Sequence, residues 1–359
     1  MTTDVQKLLK QLISMPGLSG FEAPVRQAIQ EAWKPLTDEV AVSRLGSLHA
    51  LQRGTALLEP AGDTPRPSIL LSAHMDAIGM MVTGVADGFL RFTGIGGLDP
   101  RVLPGQLVTV HGRVDLPGII VQPPAQLLPA ASSEGAAPLA HLLIDTGLLP
   151  ADVNRKVQVG DVVSYAQPPI ELSGDLLVGH SLDNRASVAV VTHCLDLLQS
   201  RTHHWDVWAV ASTQEEVTLC GAMTSAFGLN PSLSVVIDVT FAASPGSPTH
   251  RTFPLAKGPT LGWGPNVHPA LFKAFKELAE KQEIPYGLEV MPRHSGTDAY
   301  AIQVVAAGIP TMVIGIPLRY MHTPVEMVSL KDILRAGRLL AEFIAGLPAD
   351  FADRLAFDD

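Results

Sequence analysis

The sequence predicts an α/β fold: a mixed, mostly parallel sheet flanked by helices, with a small all-β barrel inserted into it. Apolar runs at 68–76, 205–210 and 233–240 have the unbroken character of strands buried on both faces, and helical patterns alternate with them. Between 77 and 164 the texture changes to short apolar pieces broken by Gly, Pro and Asp, the pattern of an all-β module. The α/β pattern then resumes. A chain of 359 residues exceeds what one core usually holds. Residues 1–76 and 165–359 are therefore expected to form one domain, and 77–164 a second, inserted one.

Taken in order, Val5, Leu8, Leu9, Leu12 and Ile13 repeat at helical spacing, with Asp4 near the start. A second helix is expected over 21–33, ended by Pro35, and a strand over 47–52. The turn-rich run 60–67 reads as a surface loop. The strand at 68–76 ends in His74 and Asp76. Within the β module, strands are expected at 88–92, 106–110, 118–121, 142–145 and 161–164. Pro123 to Pro138, rich in Pro, Ala and Ser, reads as a long loop. A helix follows Asp183 to about Gln199, and a shorter one covers 221–227. Beyond it come a helix at 269–282, a short strand at 287–290 and a Gly-centred loop at 293–299. A strand at 311–315, the loop 317–326 and a closing helix at 330–347 complete the chain.

The net charge of −10 argues against a nucleic-acid partner, which wants a basic face. No stretch offers the eighteen or so charge-free apolar residues of a membrane span. The first residues, Met1 to Val5, lack a basic segment followed by an apolar one, so a cytoplasmic location is expected. Two cysteines, Cys194 and Cys220, exclude a disulfide scaffold and read as buried small hydrophobes. The Gly-rich pieces match neither a Walker loop nor a GxGxxG turn, and no GxSxG elbow occurs.

Five strand exits or adjoining loops carry metal-ligand residue types: His74, Asp183, Glu216, Asp238 and His322. Each has a bland reading. A lone His74 is a satisfied buried histidine, Asp183 a helix cap worth about 1 kcal/mol, and the Glu215–Glu216 pair a solvated loop. Five in one sheet are another matter, because parallel strands deliver their exits to one edge. Two His and three carboxylates suit Zn2+, Co2+ or Mn2+. They are too many for one catalytic zinc and suit two cations if one carboxylate is shared. Glu215 is then free to handle protons. Asp76, two residues from His74 on a strand, can hold one ring nitrogen directly or through the turn.

The segments carrying these residues are His74-Met-Asp76, Gly179-His-Ser-Leu-Asp-Asn-Arg185, Gln214-Glu-Glu216, Val236-Ile-Asp238 and Tyr320-Met-His-Thr-Pro-Val-Glu326. With Gly96-Gly-Leu-Asp-Pro-Arg101, Ser295-Gly-Thr-Asp-Ala299 and the run 308–317, they resemble the glutamyl, or TET, aminopeptidase family over nearly the whole chain. The resemblance implies a zinc-exopeptidase-like catalytic domain and an aminopeptidase that uses a hydroxide between two divalent metals. It implies that Asp183 bridges, that His74 and Asp238 hold one metal, and that Glu216 and His322 hold the other. Glu215 would be the general base and Asp76 the partner of His74. Arg293, Gly296, Thr297 and Asp298 are expected at the peptide substrate. The β module would dimerise the chain, and dimers would build a twelve-subunit shell. Ser295 stands where the family pattern leads one to expect glycine, and the 123–138 loop looks peculiar to this chain.

Other readings make different demands. A glycoside hydrolase would use two metal-free carboxylates, an assignment some relatives carry as an endoglucanase label. A metallo-deacylase could use the same cations. A carboxypeptidase would need a cation for the substrate carboxylate, with Arg293 and Arg319 as candidates. A metal- or peptide-binding scaffold would not need Glu215.

Overall fold

The computed structural model describes residues 3–56, 66–124, 126 and 137–355. The loop expected at 60–67 and the one at Pro123 to Pro138 fall largely outside them. The chain opens with α1 (Val5–Ile13), whose apolar face is buried and whose Asp4 carboxylate accepts a hydrogen bond from the Lys7 N–H. Next come α2 (Ala23–Trp33), β1 (Glu39–Val42), β2 (Leu48–Gln52) and β3 (Ser68–His74).

A closed six-stranded barrel follows: β4 (Gly79–Ala86), β5 (Phe89–Ile95), β6 (Leu107–His111), β7 (Asp115–Val121), β8 (Leu143–Asp145) and β9 (Val162–Tyr165), with α3 (Pro150–Lys156) before β9. All of its pairings are antiparallel. Side chains alternate in and out along β7, and Met80, Val82, Phe92, Val110, Ile120 and Ile144 fill a core separate from the main one.

The chain then returns through β10 (Ile170–Leu172), β11 (Leu176–Gly179), α4 (Leu182–Leu198), β12 (Asp206–Ser212), α5 (Cys220–Leu229), β13 (Leu233–Phe241), β14 (Thr260–Trp263), α6 (Pro269–Lys281), β15 (Gly287–Val290), α7 (Asp298–Gln303), β16 (Thr311–Arg319), β17 (Glu326–Ser329) and α8 (Leu330–Gly346). The large sheet runs β1-β2-β12-β3-β13-β16-β17-β11-β10, with β14 also on β16 and β15 on β14. It is mixed. The four central strands β12-β3-β13-β16 are parallel and the strands beside them pair antiparallel, except that β15 runs parallel to β14. Helix α4 is buried along almost its whole length among α1, α8 and the sheet. Cys194 lies inside it, whereas Cys220 opens α5 half-exposed rather than buried.

Several elements depart from expectation. Strands β1, β4, β10, β11, β14 and β17 and helix α3 have no counterpart among the expected elements. β4 is apolar at most positions and lacks a clean two-residue alternation. β16 does not stop at Gly315 but continues through Pro317 to Arg319. Pro317 falls where that edge passes from β14, paired up to Gly315, to β17, paired from Leu318, so its missing N–H is not called upon. No helix among the described residues is long and apolar enough to cross a membrane.

Candidate metal centre

Strand register assembles the centre. Ser212 of β12 pairs with His74, and Val236 of β13 pairs with Ser72, so two residues further on Asp238 stands beside His74. Asp183 enters from the start of α4, where its backbone and that of Asn184 are not yet helical. Its two carboxylate oxygens face different histidines. Oδ1 lies 3.2 Å from His74 Nε2 and Oδ2 3.4 Å from His322 Nε2. Asp238 Oδ1 is 3.7 Å from His74 Nε2, and Glu216 Oε2 is 3.5 Å from His322 Nε2. Two triads result, His74–Asp183–Asp238 and Asp183–Glu216–His322, each with its donor atoms within 4.8 Å of one another. Glu215 Oε2 stands 3.8 Å from His74 Nε2, in neither triad.

The electrostatics suit cations. Among the described residues, no lysine or arginine pairs with these acids. Burial, reinforced by Asp238 against the pull of His74, pushes the Glu215 carboxyl up to about 9. Burial and then the Asp183 charge push Glu216 up to about 10. Burial also carries Asp238 well above the carboxylate range. Asp183 goes the other way: burial opposes ionisation, but hydrogen bonds to His322 and His74 outweigh it. Burial would lower His74, yet Glu215 and the hydrogen-bonded Asp183 and Asp76 hold it well above an ordinary histidine. A cluster of crowded acids and two imidazoles, lacking a fixed counter-charge, fits divalent cations of the Zn2+, Co2+ or Mn2+ type.

The model of the M42 glutamyl aminopeptidase family matches residues 54–339. The chain belongs to that family. It is 32% identical to the lysyl aminopeptidase of Pyrococcus furiosus over 354 residues, 96% of this chain and 98% of that one. The TET aminopeptidase of Thaumarchaeota archaeon SCGC AB-539-E09 superposes with a TM-score of 0.91 at 31% identity, covering 98% of this chain and 99% of that one. The Pyrococcus horikoshii TET1 peptidase, described as assembling into a tetrahedron or a large octahedral shell, superposes at 0.82 with 28% identity, covering 96% and 100%.

Two buried carboxylates brace the donor set of this M42 chain. Asp76 accepts from the backbone N–H of Glu215 at 3.0 Å and of Glu216 at 3.2 Å, and from the Ser19 hydroxyl. Its backbone carbonyl, not its carboxylate, makes the shorter contact with His74 Nδ1, at 3.1 Å against 3.5 Å. The orientation of His74 thus comes through the turn. Glu326 accepts from the N–H of His322 at 2.9 Å and of Asp183 at 3.1 Å. Its role was not anticipated; the available signal was an acid opening an otherwise uncharged strand four residues after His322. The barrel also reaches the centre. A Cβ on Gly97 would lie 2.9 Å from His322 Nδ1, which explains a glycine at that point of the Gly96-Gly97 segment.

The triads and Glu215 line a cleft of about 710 Å3. Gly296 and Thr297 line it too, with Ser295, His294 and Tyr300. Two expectations fail here. Asp298 cannot meet a substrate, because it is buried beneath the site and its Oδ2 accepts from the hydroxyls of Ser72 and Ser212. Arg293 is exposed and outside the cleft lining. Arg319 donates its Nε–H to the Ala243 carbonyl and is not among the cleft-lining residues. Among the described residues no arginine or lysine appears in the lining, so none of them offers the cation that the carboxypeptidase reading needs. Glu289, not singled out in the sequence, does line the cleft.

Proposed function

We propose that this chain is a metal-dependent aminopeptidase holding two divalent cations per subunit, one on His74, Asp183 and Asp238 and the other on Asp183, Glu216 and His322. The observation that carries the reading is the Asp183 carboxylate, which turns one oxygen to each histidine. When bound, the cations polarise a peptide carbonyl and lower the pKa of a water. The protein's own work is positional and protonic. Asp76 fixes the peptide units of Glu215 and Glu216 through their N–H groups, so the base and a cation donor share one anchor. Glu215 takes the proton of the attacking water at its carboxylate and returns it to the leaving amine. Gly296 and Thr297 form part of the wall along which the peptide's first residue lies.

The two domains, 1–76 with 165–359 and 77–164, follow from the same reading. The barrel serves as the dimerising module of a homo-oligomer, and the TET1 relative, which assembles into closed shells, supports a dodecamer built from dimers. The cleft has the chemistry for the free N-terminus of a peptide. The lysyl name of one relative and the glutamyl name of the family leave open which side chain is preferred.

The test is Glu215→Gln with metal content measured alongside. A loss of about 10³-fold in aminoacyl-anilide hydrolysis, with both cations retained, is expected. Undiminished turnover would remove Glu215 as the base. N-acetylated and C-terminally blocked peptides separate the activities: an aminopeptidase cleaves only the second, a deacylase or carboxypeptidase only the first.

A further inference from the structure

The cleft holds one acid that the triads and the base do not use. Along β15, Leu288 and Val290 face solvent and Glu289 turns inward. Thr240 Oγ1 donates to its Oε1 at 2.7 Å, and Thr260 Oγ1 donates to its Oε2 at 2.6 Å. Two strands therefore hold the carboxylate in a fixed plane, with a lone pair left on each oxygen. It lies across Gly315, where a Cβ would come within 2.8 Å of Oε2. Gly315 is the register partner of Asp238. Neighbouring strands are about 4.8 Å apart, so Glu289 stands roughly one strand beyond the inner triad, a gap that a lysine or arginine stem spans.

Among the described residues the carboxylate has no cation of its own. Burial raises its carboxyl more than the two threonine hydroxyls lower it, and no basic side chain acts on it there. Glu289 is a donor in neither triad. It is only partly buried, so a substrate group can reach it.

We infer that Glu289 makes the cleft select peptides whose first residue carries a positively charged side chain. The inference deepens the aminopeptidase reading and rests on it. A carboxylate held in place by two hydroxyls binds an ammonium or guanidinium with little reorganisation. The same group repels a glutamyl side chain.

Two readouts test it on the metal-loaded protein. The first is kcat/KM on lysyl, arginyl, leucyl and glutamyl anilides for the unmodified protein, Glu289→Gln and Glu289→Lys. Lysyl and arginyl substrates are expected to lead leucyl by at least tenfold. Glu289→Gln should erase that lead, chiefly through KM, and leave leucyl turnover within about twofold. Glu289→Lys should favour glutamyl. Equal rates on all four by the unmodified protein would overturn the inference. So would an equal loss on all substrates in Glu289→Gln, which would instead mark a group that binds the α-amine or only ties strands. The second readout is calorimetry with lysinamide and norleucinamide, which needs no turnover. Lysinamide should bind at least tenfold tighter, and only with Glu289 present; equal binding overturns the inference. Absence of any anilide hydrolysis beside Glu289-dependent lysinamide binding would count against the catalytic reading and for the pocket.

Discussion

His74 and His322 face the same Asp183 carboxylate from unlike surroundings. His74 closes a central parallel strand and its side chain is 2% exposed. His322 follows β16 on a turn, with left-handed backbone (φ 62°), and its side chain is 36% exposed. The inner triad takes His74 and Asp238 from adjacent strands, so ladder hydrogen bonds set their spacing. The outer triad takes Glu216 and His322 from turns and depends on borrowed supports: Asp76 beneath Glu216, Glu326 beneath His322, and Gly97 beside the imidazole. Donors held by register have their backbone spacing fixed by the ladder, and His74 needs only the Asp76 carbonyl to set its ring. Donors held on turns are as stiff as the groups that grip their peptide N–H.

The largest effect should come from the residue that the two halves share. Asp183→Asn is expected to empty both triads and cut hydrolysis by at least about 10³-fold, with metal content following activity. One cation kept at full occupancy would show that the halves are independent. Next, if two cations bind as proposed, chelator titration of the intact protein should run in two phases, the exposed outer triad giving up its cation first. His322→Ala should abolish only the weaker phase and His74→Ala the tighter one; a single phase in the intact protein would erase the distinction. Glu326→Gln should weaken the outer cation by about 10- to 100-fold and the inner one less, because Glu326 grips the N–H of His322 and also that of the shared Asp183; competition titration separates the two. An equal loss at both would make Glu326 a general scaffold residue.

The smallest effect is a drift of stability with pH. Folding raises the carboxyls of Glu215 to about 9 and Glu216 to about 10. The folded protein without cations therefore binds protons more tightly than the unfolded chain. Its advantage is full below the ordinary glutamate range near 4.5 and is lost as pH climbs towards 9 and 10. The Tm of chelated protein should fall across that window, and added Zn2+ or Co2+ should flatten the slope and release protons on binding. A pH-independent Tm after chelation would mean that the acids do not crowd in solution.

The sequence shows the inner half better than the outer. His74 and Asp238 stand in or at the ends of apolar runs whose strand character is plain, and parallel strands converge by topology. The strand exits also bring Asp183, Glu216 and His322 within reach of one edge. The braces are harder to see. Glu326 looks like a surface acid after a loop until β17 buries it, and Asp76 reads as a partner of His74 rather than as the anchor of the Glu215–Glu216 turn. Asp298 and Arg293 show the opposite error. Both lie on a Gly-centred loop beside true cleft residues, and sequence proximity does not reveal that α7 turns Asp298 under the sheet while Arg293 faces solvent. Glu289 escaped notice because a short edge strand with one acid carries no pattern; its place is created by Thr240, Thr260 and Gly315, which are remote in sequence.

The contact between Gly97 and His322 has a mechanical corollary. Ile95 is the last residue of a barrel strand, and two residues later the chain already backs the imidazole. A lever that short transmits displacement with little slack. The seating of the barrel against the sheet and the placing of His322 are therefore one structural problem, set by a segment of two residues.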